Sequence, residues 1–140
     1  MSIQILGGHA RGHALFVPKG DETRPTTVML RRKFFDAHQD CSDMIFIDLC
    51  AGTGAMAFEA LSRGAKEVIC VEKNKYVFKT LQKNAKSLEI KFDSPQIRLE
   101  STSADIWLER FLKVYESFDQ QRKENIYILP YTPTIYMRNK

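Results

Sequence analysis

An acid and two glycines lie between an apolar strand and the helix that follows it, and a second acid follows the next apolar strand. These residue types suit the binding of a charged nucleoside. Asp48 follows the apolar residues Phe46 and Ile47, and Gly52 and Gly54 come shortly after it. Glu72 comes directly after a second apolar run, residues 67–71. Because the carboxyl ends of parallel strands share one edge of a sheet, both acids are expected at a single crevice.

The chemistry of these residues fits a ligand that carries an adenosine and a cation. Gly52 and Gly54 have no Cβ atom, so the backbone can turn tightly and approach a ligand closely. The N–H groups that open the next helix suit a carboxylate, while Asp48, directly or through a water, suits an ammonium. An ionised Glu72 can accept hydrogen bonds from both hydroxyls of a ribose. The pattern points first to S-adenosylmethionine.

Two alternative interpretations stay open at this point. Asp105, expected at the start of a helix after the third strand, is a candidate acceptor for the adenine amino group, but it could instead be a helix N-cap. Residues 52–57 also satisfy the G-x-G-x-x-A fingerprint of dinucleotide-binding proteins, with an acid about 20 residues further on. Asp48 disfavours that alternative, because it would repel a pyrophosphate at the turn. A basic segment also precedes the strand, whereas the dinucleotide fingerprint tends to open its domain.

The hydrophobic pattern predicts a doubly wound α/β fold with a small N-terminal β-hairpin. Residues 3–17 are typical of a hairpin, and residues 26–38 of a helix with Thr26 or Thr27 as its N-cap and Met29, Leu30, Phe34 and Ala37 on one face. Strands and helices then alternate, which indicates a parallel sheet with ligands at its carboxyl edge. The predicted strands are residues 44–49, 68–71, 97–99 and 125–129, and the predicted helices are residues 55–63, 76–88 and 104–118.

Residue types inside these elements predict core packing. Trp107, Phe111, Tyr115 and Phe118 recur at near-helical spacing, which favours packing over base stacking. The three cysteines, Cys41, Cys50 and Cys70, form no C-x-x-C pair, and the surroundings of the last two predict buried structural thiols. No metal site is expected.

Size and charge restrict the class of protein further. The chain has 140 residues, a formal net charge of +4 and no apolar run long enough to span a membrane, and its start does not resemble a signal peptide. A cytoplasmic protein is therefore expected, and a monomer is taken as the default because the sequence leaves the oligomeric state open. Basic residues outnumber acidic ones between His9 and Lys33, which is typical of phosphate contacts, although a solvated charged face would have the same composition. We expect residues 1–40 to form an N-terminal hairpin, loop and helix that could contact a polyanion, and residues 41–140 to form the nucleotide-type domain.

Five segments resemble one family, the bacterial methyltransferases that modify the exocyclic N2 of a guanine in 16S ribosomal RNA (the RsmD type). The opening Ile-Leu-Gly-Gly-His-Ala-Arg-Gly and the later Thr-Arg-Pro-Thr-Thr are more discriminating than the generic glycine turn. Their order and spacing are similar to the family over most of the chain. The five segments are residues 5–12, 23–27, 48–54, 59–65 and 71–74.

The resemblance implies a Rossmann-like methyltransferase fold with S-adenosylmethionine as cofactor and 16S ribosomal RNA or the small ribosomal subunit as partner. The positions that it assigns to the cofactor are Asp48, Ala51, Gly52, Gly54, Glu72, Lys73 and Asp105. The positions that it assigns to RNA are Arg11, Arg24, Thr26, Thr27 and Arg31. Pro130 and Tyr131 match the second half of the Asp/Asn-Pro-Pro-Tyr motif in which the family places its catalytic residues.

The chain departs from this family at the catalytic motif. Ile128 and Leu129 precede Pro130, so no acid stands where the family has one, and the family continues with further strands. Either active-site residues and C-terminal strands are missing from this chain, or it is a degenerate relative that performs no chemistry. Three functions therefore remain: an RNA guanine-N2 methyltransferase, a non-catalytic RNA-binding relative, and a nicotinamide-dependent oxidoreductase.

Overall fold

The computed structural model describes residues 2–18, 25–93 and 95–129. From residue 45 onward its strands alternate with helices, and two helices precede the last strand. The N-terminal elements are β1 (Ser2–Gln4), β2 (Ala14–Phe16) and α1 (Pro25–Ala37). The elements that follow are β3 (Ile45–Asp48), α2 (Ala55–Ser62), β4 (Glu67–Val71), α3 (Lys75–Glu89), β5 (Ile97–Glu100), α4 (Ala104–Tyr115), α5 (Gln120–Glu124) and β6 (Ile126–Leu129). All the elements predicted from the sequence are present, and α5 is additional.

The main sheet is parallel and has the strand order β5-β4-β3-β6, while β1 and β2 form a separate antiparallel pair. Ile47 lies opposite Ile69 of β4 and Ile128 of β6, so β3 has a hydrogen-bonded neighbour on each side. The strand order reverses beside β3, which is the place where doubly wound folds bind ligands. The predicted fold class is therefore confirmed.

Two apolar layers cover the two faces of this sheet. One layer contains Phe46, Phe58 and Leu81, and Ile5 and Leu15 of the N-terminal segment pack into the same cluster. The other layer contains Trp107 and Phe111 of α4, and Tyr115 and Phe118 pack against it. The prediction that these four aromatics belong to the core is confirmed. The N-terminal segment shares a core with the sheet, and the division at residue 40 stays a prediction.

Helix α1 corrects two predictions. It begins at Pro25, which suits a first helical position because proline lacks the N–H group, so Thr26 and Thr27 lie within the first turn and are not N-caps. Of its predicted apolar face, only Phe34 packs against the core. Met29 and Leu30 are 68% and 62% exposed, whereas the buried side chains are Arg31 and Phe35.

The start of helix α4 and the burial of the cysteines are two further points at which the structure tests the predictions. Ser103, and not Asp105, is the N-cap of α4, since its side chain accepts a hydrogen bond from the N–H of Ile106. Cys70 is buried as predicted and Cys41 is buried as well, but the prediction for Cys50 is wrong, since it lies exposed on the turn that follows β3. Within the described part of the chain, no helix is long and apolar enough to cross a membrane.

Candidate cofactor site

Asp48 ends β3 at the carboxyl edge of the sheet and is almost fully buried. It is 5% exposed, and its side chain accepts a hydrogen bond from the N–H of Cys50, with 3.0 Å between Oδ1 and N. The pKa of Asp48 is raised to about 6, chiefly by burial and also by the nearby carboxylate of Glu72, against the lowering effect of the Cys50 N–H. Desolvation disfavours the charged form of an acid, so a cation at this place would bind favourably.

The turn after Asp48 depends on its two glycines. Gly52 and Gly54 have φ angles of 57° and 89°, which side chains rarely tolerate. A Cβ atom on Gly54 would overlap the ring of Phe58, whereas a Cβ atom on Gly52 would meet no atom of the described residues within 4 Å. Gly54 therefore keeps the turn close to α2, and Gly52 leaves open space beside the backbone.

Glu72, at the end of the neighbouring strand, stabilises this turn through hydrogen bonds. Its Oε1 accepts a hydrogen bond from the N–H of Gly52 at 2.9 Å, and its Oε2 accepts one from the N–H of Asn74 at 2.9 Å. A carboxylate oxygen has two lone pairs, so each oxygen can still accept a ligand hydroxyl. The structure thus brings Asp48, Glu72 and both glycines to one place, and gives Glu72 a positioning contact that the sequence did not indicate.

The other predicted cofactor residues lie around the same edge. Ala51 is buried, and its N–H donates to the carbonyl of Val71 at 3.0 Å, which ties the turn to β4. Lys73 is exposed directly after Glu72, and Asp105 is exposed in the first turn of α4. A role for Lys73 and Asp105 in cofactor binding stays a prediction.

These groups fit S-adenosylmethionine. The buried Asp48 carboxylate suits its ammonium, and the open side of Gly52 gives a ligand access to the backbone. Helix α2 begins at Ala55 with no side-chain cap on its first N–H groups, and such groups bind carboxylates. One buried acid, one partly exposed acid and a helix N-terminus match the ammonium, the ribose hydroxyls and the carboxylate of this cofactor.

A second buried carboxylate, which sequence analysis missed, holds the N-terminal segment. Glu59 of α2 is fully buried and accepts hydrogen bonds from the N–H groups of Leu6 and Gly7 at 2.8 and 3.0 Å. It also pairs with Nε of Arg63 at 2.8 Å and with Nη1 of Arg31 at 3.8 Å. Its only sequence signal is a charge inside a helix that is otherwise apolar.

Arg31 is a correction to the predicted RNA contacts. It is 4% exposed, and its Nη1 donates to the carbonyl of Gln4 at 3.1 Å besides facing Glu59. A guanidinium enclosed in this way is not accessible to a phosphate, so Arg31 serves to attach α1 to the hairpin. Arg11, in contrast, is exposed on the loop between β1 and β2.

The remaining predicted residues can be placed only in part. Thr26 and Thr27 lie in the first turn of α1, and their side chains are not among those described. Arg24, Pro130 and Tyr131 lie outside the described residues. Leu129, the last residue of β6, lies opposite Asp48, so the strand that precedes the catalytic motif ends at the site.

Two more polar residues escaped sequence analysis. Ser62 accepts a hydrogen bond from the N–H of Ala10 at 2.8 Å and donates one to the carbonyl of Gly7 at 2.6 Å. Asn84 is fully buried in α3 and contacts both β2 and the glycine turn. The one signal that could have revealed Asn84 is an amide inside the apolar stripe of that helix.

Comparison with known proteins identifies the relatives of the chain. The family model described as Conserved hypothetical protein 95 matches residues 3–120. Ribosomal RNA small subunit methyltransferase D of Escherichia coli K12 is 38% identical over 88 residues, which cover 62% of this chain and 44% of that protein. The protein of the same name from Haemophilus influenzae is 32% identical over 106 residues, which cover 71% and 52%. The chain spans about half the length of these curated relatives.

Solved structures agree with this comparison. The methyltransferase candidate yhhF of Escherichia coli is 34% identical, with a TM-score of 0.67 over 77% of this chain and 57% of that one. A hypothetical protein of Thermus thermophilus is 30% identical, with a TM-score of 0.62 over 78% of this chain and 60% of that one. The likeness in sequence is therefore matched by a likeness in fold.

The strand order and the site together define the Rossmann-like fold class of the S-adenosylmethionine-dependent methyltransferases. Within that class, the chain belongs to the RsmD-type family, the family described as Conserved hypothetical protein 95. The predicted fold, family and cofactor are thereby confirmed. The dinucleotide alternative has no support among these relatives, and the buried Asp48 beside the turn opposes it on physical grounds.

Proposed function

We propose that this chain forms the cofactor-binding part of a methyltransferase that acts on the exocyclic N2 of a guanine in 16S ribosomal RNA. The observation that carries the proposal is Asp48, a buried acid with a raised pKa beside a glycine turn that Glu72 braces. Relatives named ribosomal RNA small subunit methyltransferase D support RNA as the substrate.

The residues of this chain bind and orient the cofactor in this proposal. S-adenosylmethionine supplies an electrophilic methyl group on a sulfonium, which is already a good leaving group, so positioning is the main contribution of the protein. The Asp48 carboxylate holds the ammonium, and the first N–H groups of α2 hold the carboxylate. Glu72 accepts hydrogen bonds from the ribose, and Asp105 from the adenine.

RNA binding is supported by a basic surface next to this site. Arg11 is exposed on the hairpin, and helix α3 exposes a lysine at every third or fourth position. Lys83 lies over the ring of Phe16 of β2, with Nζ 3.8 Å from the ring centroid, which joins the helix to the hairpin. We include Arg24, Thr26 and Thr27 in this interface from their match to the family. The α3 lysines are Lys75, Lys79, Lys83 and Lys86.

The target base would be held by residues after β6. In the family the motif at this point orients the guanine amino group and stacks an aromatic residue on the base, which assigns those roles to Pro130 and Tyr131. The missing acid before Pro130 favours the second candidate function, a relative that binds cofactor and RNA without transferring a methyl group.

Two measurements separate these candidates. Calorimetric titration with S-adenosylhomocysteine and with NAD is expected to give binding of the first only, and the reverse result would restore the oxidoreductase. Incubation with methyl-labelled S-adenosylmethionine then compares naked 16S ribosomal RNA with immature small subunits. Label on guanine N2 supports the enzyme, whereas cofactor binding without incorporation supports the non-catalytic relative.

A monomeric state and a cytoplasmic location stay predictions.

A further inference from the structure

Asn84 is the side chain that stands between the cofactor turn and the N-terminal hairpin. It lies on the apolar face of α3 together with Leu81, Ala85 and Leu88, and it is fully buried. A buried amide destabilises a protein unless its donors and its acceptor are hydrogen-bonded. The partners of Asn84 therefore show what this position does.

All three polar functions of the Asn84 side chain are satisfied by backbone groups of other segments. Its Oδ1 accepts a hydrogen bond from the N–H of Phe16 at 2.7 Å, and its Nδ2 donates to the carbonyl of Phe16 at 2.9 Å. The second Nδ2 hydrogen goes to the carbonyl of Thr53, also at 2.9 Å. The Phe16 N–H can only donate, so it fixes which end of the amide faces β2.

This amide therefore joins two segments that the sequence keeps far apart. Thr53 is the residue between Gly52 and Gly54, at the tip of the cofactor turn, and Phe16 is the last residue of β2. The hairpin carries the exposed Arg11 and the half-exposed ring of Phe16. One buried side chain thus holds the backbone of the cofactor turn and the backbone of the proposed RNA-contacting hairpin.

We propose that Asn84 is a positioning residue that couples occupancy of the cofactor turn to the order of the N-terminal hairpin. A cofactor that fixes the Thr53 carbonyl also fixes Asn84, and through it β2. Coupling between two sites is reciprocal in binding free energy, so RNA that orders the hairpin strengthens cofactor binding by the same factor. This inference rests on the proposed function, because it takes the turn as the cofactor site and the hairpin as an RNA contact.

Other polar anchors of the N-terminal segment do not make this connection. Ser62 and Glu59 bind the backbone of residues 6–10 from helix α2, and none of their described hydrogen bonds reaches residues 48–54. Ser62 therefore offers a matched control, since it is buried and anchors the same segment without touching the turn.

The test compares Asn84→Asp with Ser62→Ala in the intact chain. The aspartate retains an acceptor for the Phe16 N–H but places a second oxygen against the carbonyls of Phe16 and Thr53. We expect Asn84→Asp to bind S-adenosylhomocysteine about tenfold more weakly, which corresponds to the loss of one buried hydrogen bond. Ser62→Ala is expected to lose stability but to retain the affinity of the unchanged chain. Asn84→Ala serves as the second variant if the aspartate prevents folding.

Hydrogen–deuterium exchange supplies the measurement that a merely structural role would not change. In the unchanged chain and in Ser62→Ala, S-adenosylhomocysteine should slow exchange both in residues 50–55 and in residues 14–17. In Asn84→Asp, a saturating concentration should protect the turn but leave residues 14–17 unaffected. If the hairpin of the unchanged chain shows no response to bound ligand, or if the variant keeps the full response, the coupling is wrong. If the unchanged chain binds no S-adenosylhomocysteine, the proposed function itself fails.

Discussion

Two buried carboxylates, Glu59 and Asp48, occupy similar depths in the fold but have opposite surroundings. Glu59 is fully buried, and both its oxygens accept backbone N–H groups while Arg63 and Arg31 face it. Asp48 is 5% exposed and has one described hydrogen bond, with the carboxylate of Glu72 as a nearby charge. One acid is surrounded by donors, and the other faces a like charge.

This difference distinguishes a structural group from a functional one. A buried charge is tolerated when hydrogen bonds and opposite charges replace the water that it has lost. Around Glu59 that replacement is complete and comes from the protein. Around Asp48 the described residues replace it only in part, which leaves a place for a cationic ligand group. The comparison predicts that loss of Glu59 reduces stability, whereas loss of Asp48 reduces binding.

The largest expected effect is that of Glu59→Gln. Neutralising Glu59 leaves Arg31 and Arg63 without their shared counter-charge, and loss of one partner from a buried pair costs about 3–5 kcal/mol in the free energy of unfolding. Urea denaturation followed by circular dichroism measures it. The matched control is Glu67→Gln, because Glu67 pairs with Arg122 at 3.4 Å in a partly exposed place and should cost less than about 1 kcal/mol. Equal costs for both variants would remove the special role of Glu59.

The second effect is the pH dependence that Asp48 adds to stability. Its pKa is about 6 in the folded chain against 3.8 for an unperturbed aspartate. Between these pH values Asp48 is protonated in the folded state but ionised in the unfolded state. The contribution of Asp48 to the free energy of unfolding therefore falls as pH rises through this window, and it does not change further above pH 6. The fall is about 3 kcal/mol at most, since one pKa unit corresponds to about 1.4 kcal/mol.

Asp48→Asn provides the reference for this measurement. Subtracting its unfolding free energy from that of the unchanged chain between pH 4 and pH 7, roughly the window just given, isolates the contribution of Asp48. Affinity for S-adenosylhomocysteine should change in the opposite direction, rising with pH through about 6 as the ionised carboxylate meets the ligand ammonium. A flat difference curve, or an asparagine variant that binds as well as the unchanged chain, would contradict the assignment.

A third and smaller effect is expected for Glu72→Ala. The change removes the acceptor of the Gly52 N–H and the proposed acceptor of the ribose, so cofactor affinity should weaken by about 1–3 kcal/mol. Isothermal titration with S-adenosylhomocysteine measures the loss. Glu89→Ala, at the exposed far end of α3, is the control and should bind normally. Unchanged affinity in Glu72→Ala would exclude this residue from the site.

The smallest effect concerns the basic surface. Changing Lys79 and Lys83 to glutamine should lower the dependence of RNA affinity on salt, with a slope reduced by about 0.7 for each phosphate of a single strand that is no longer neutralised. Changing Arg110 and Lys113 of α4, which are exposed on the other face of the sheet, removes the same charge and should leave the slope unchanged. Equal slopes for the two double variants would mean that α3 does not bind RNA.

The sequence was sufficient to predict the parallel sheet and the clustering of Asp48, Gly52 and Glu72. Apolar periodicity is a local signal, and strands that alternate with helices bring their carboxyl ends to one edge. The turn was equally predictable, because residues with positive φ angles are commonly glycines.

The sequence was not sufficient for the attachment of the N-terminal segment. Glu59 meets the N–H of Leu6 across 53 positions, and no periodicity reports such a contact. For the same reason the assignment of Arg31 to RNA, which followed from its match to the family, was wrong: the buried acid that it faces lies in another helix. The exposed face of α1 was mispredicted because the buried guanidinium takes the inward-facing place, which leaves Met29 and Leu30 outside.

Cys50 gives this site a built-in chemical reporter. It is the one exposed thiol of the three cysteines and lies two residues from Gly52. Partial desolvation and the carboxylates of Asp48 and Glu72 raise its pKa, so the reactive thiolate is a minor form near neutral pH and the alkylation rate rises with pH. The thiols of Cys41 and Cys70 are enclosed, and their pKa values are raised as well. A maleimide dye would therefore mark the rim of the turn without any engineered residue. Slower labelling in the presence of a candidate ligand would provide a footprint of the bound molecule.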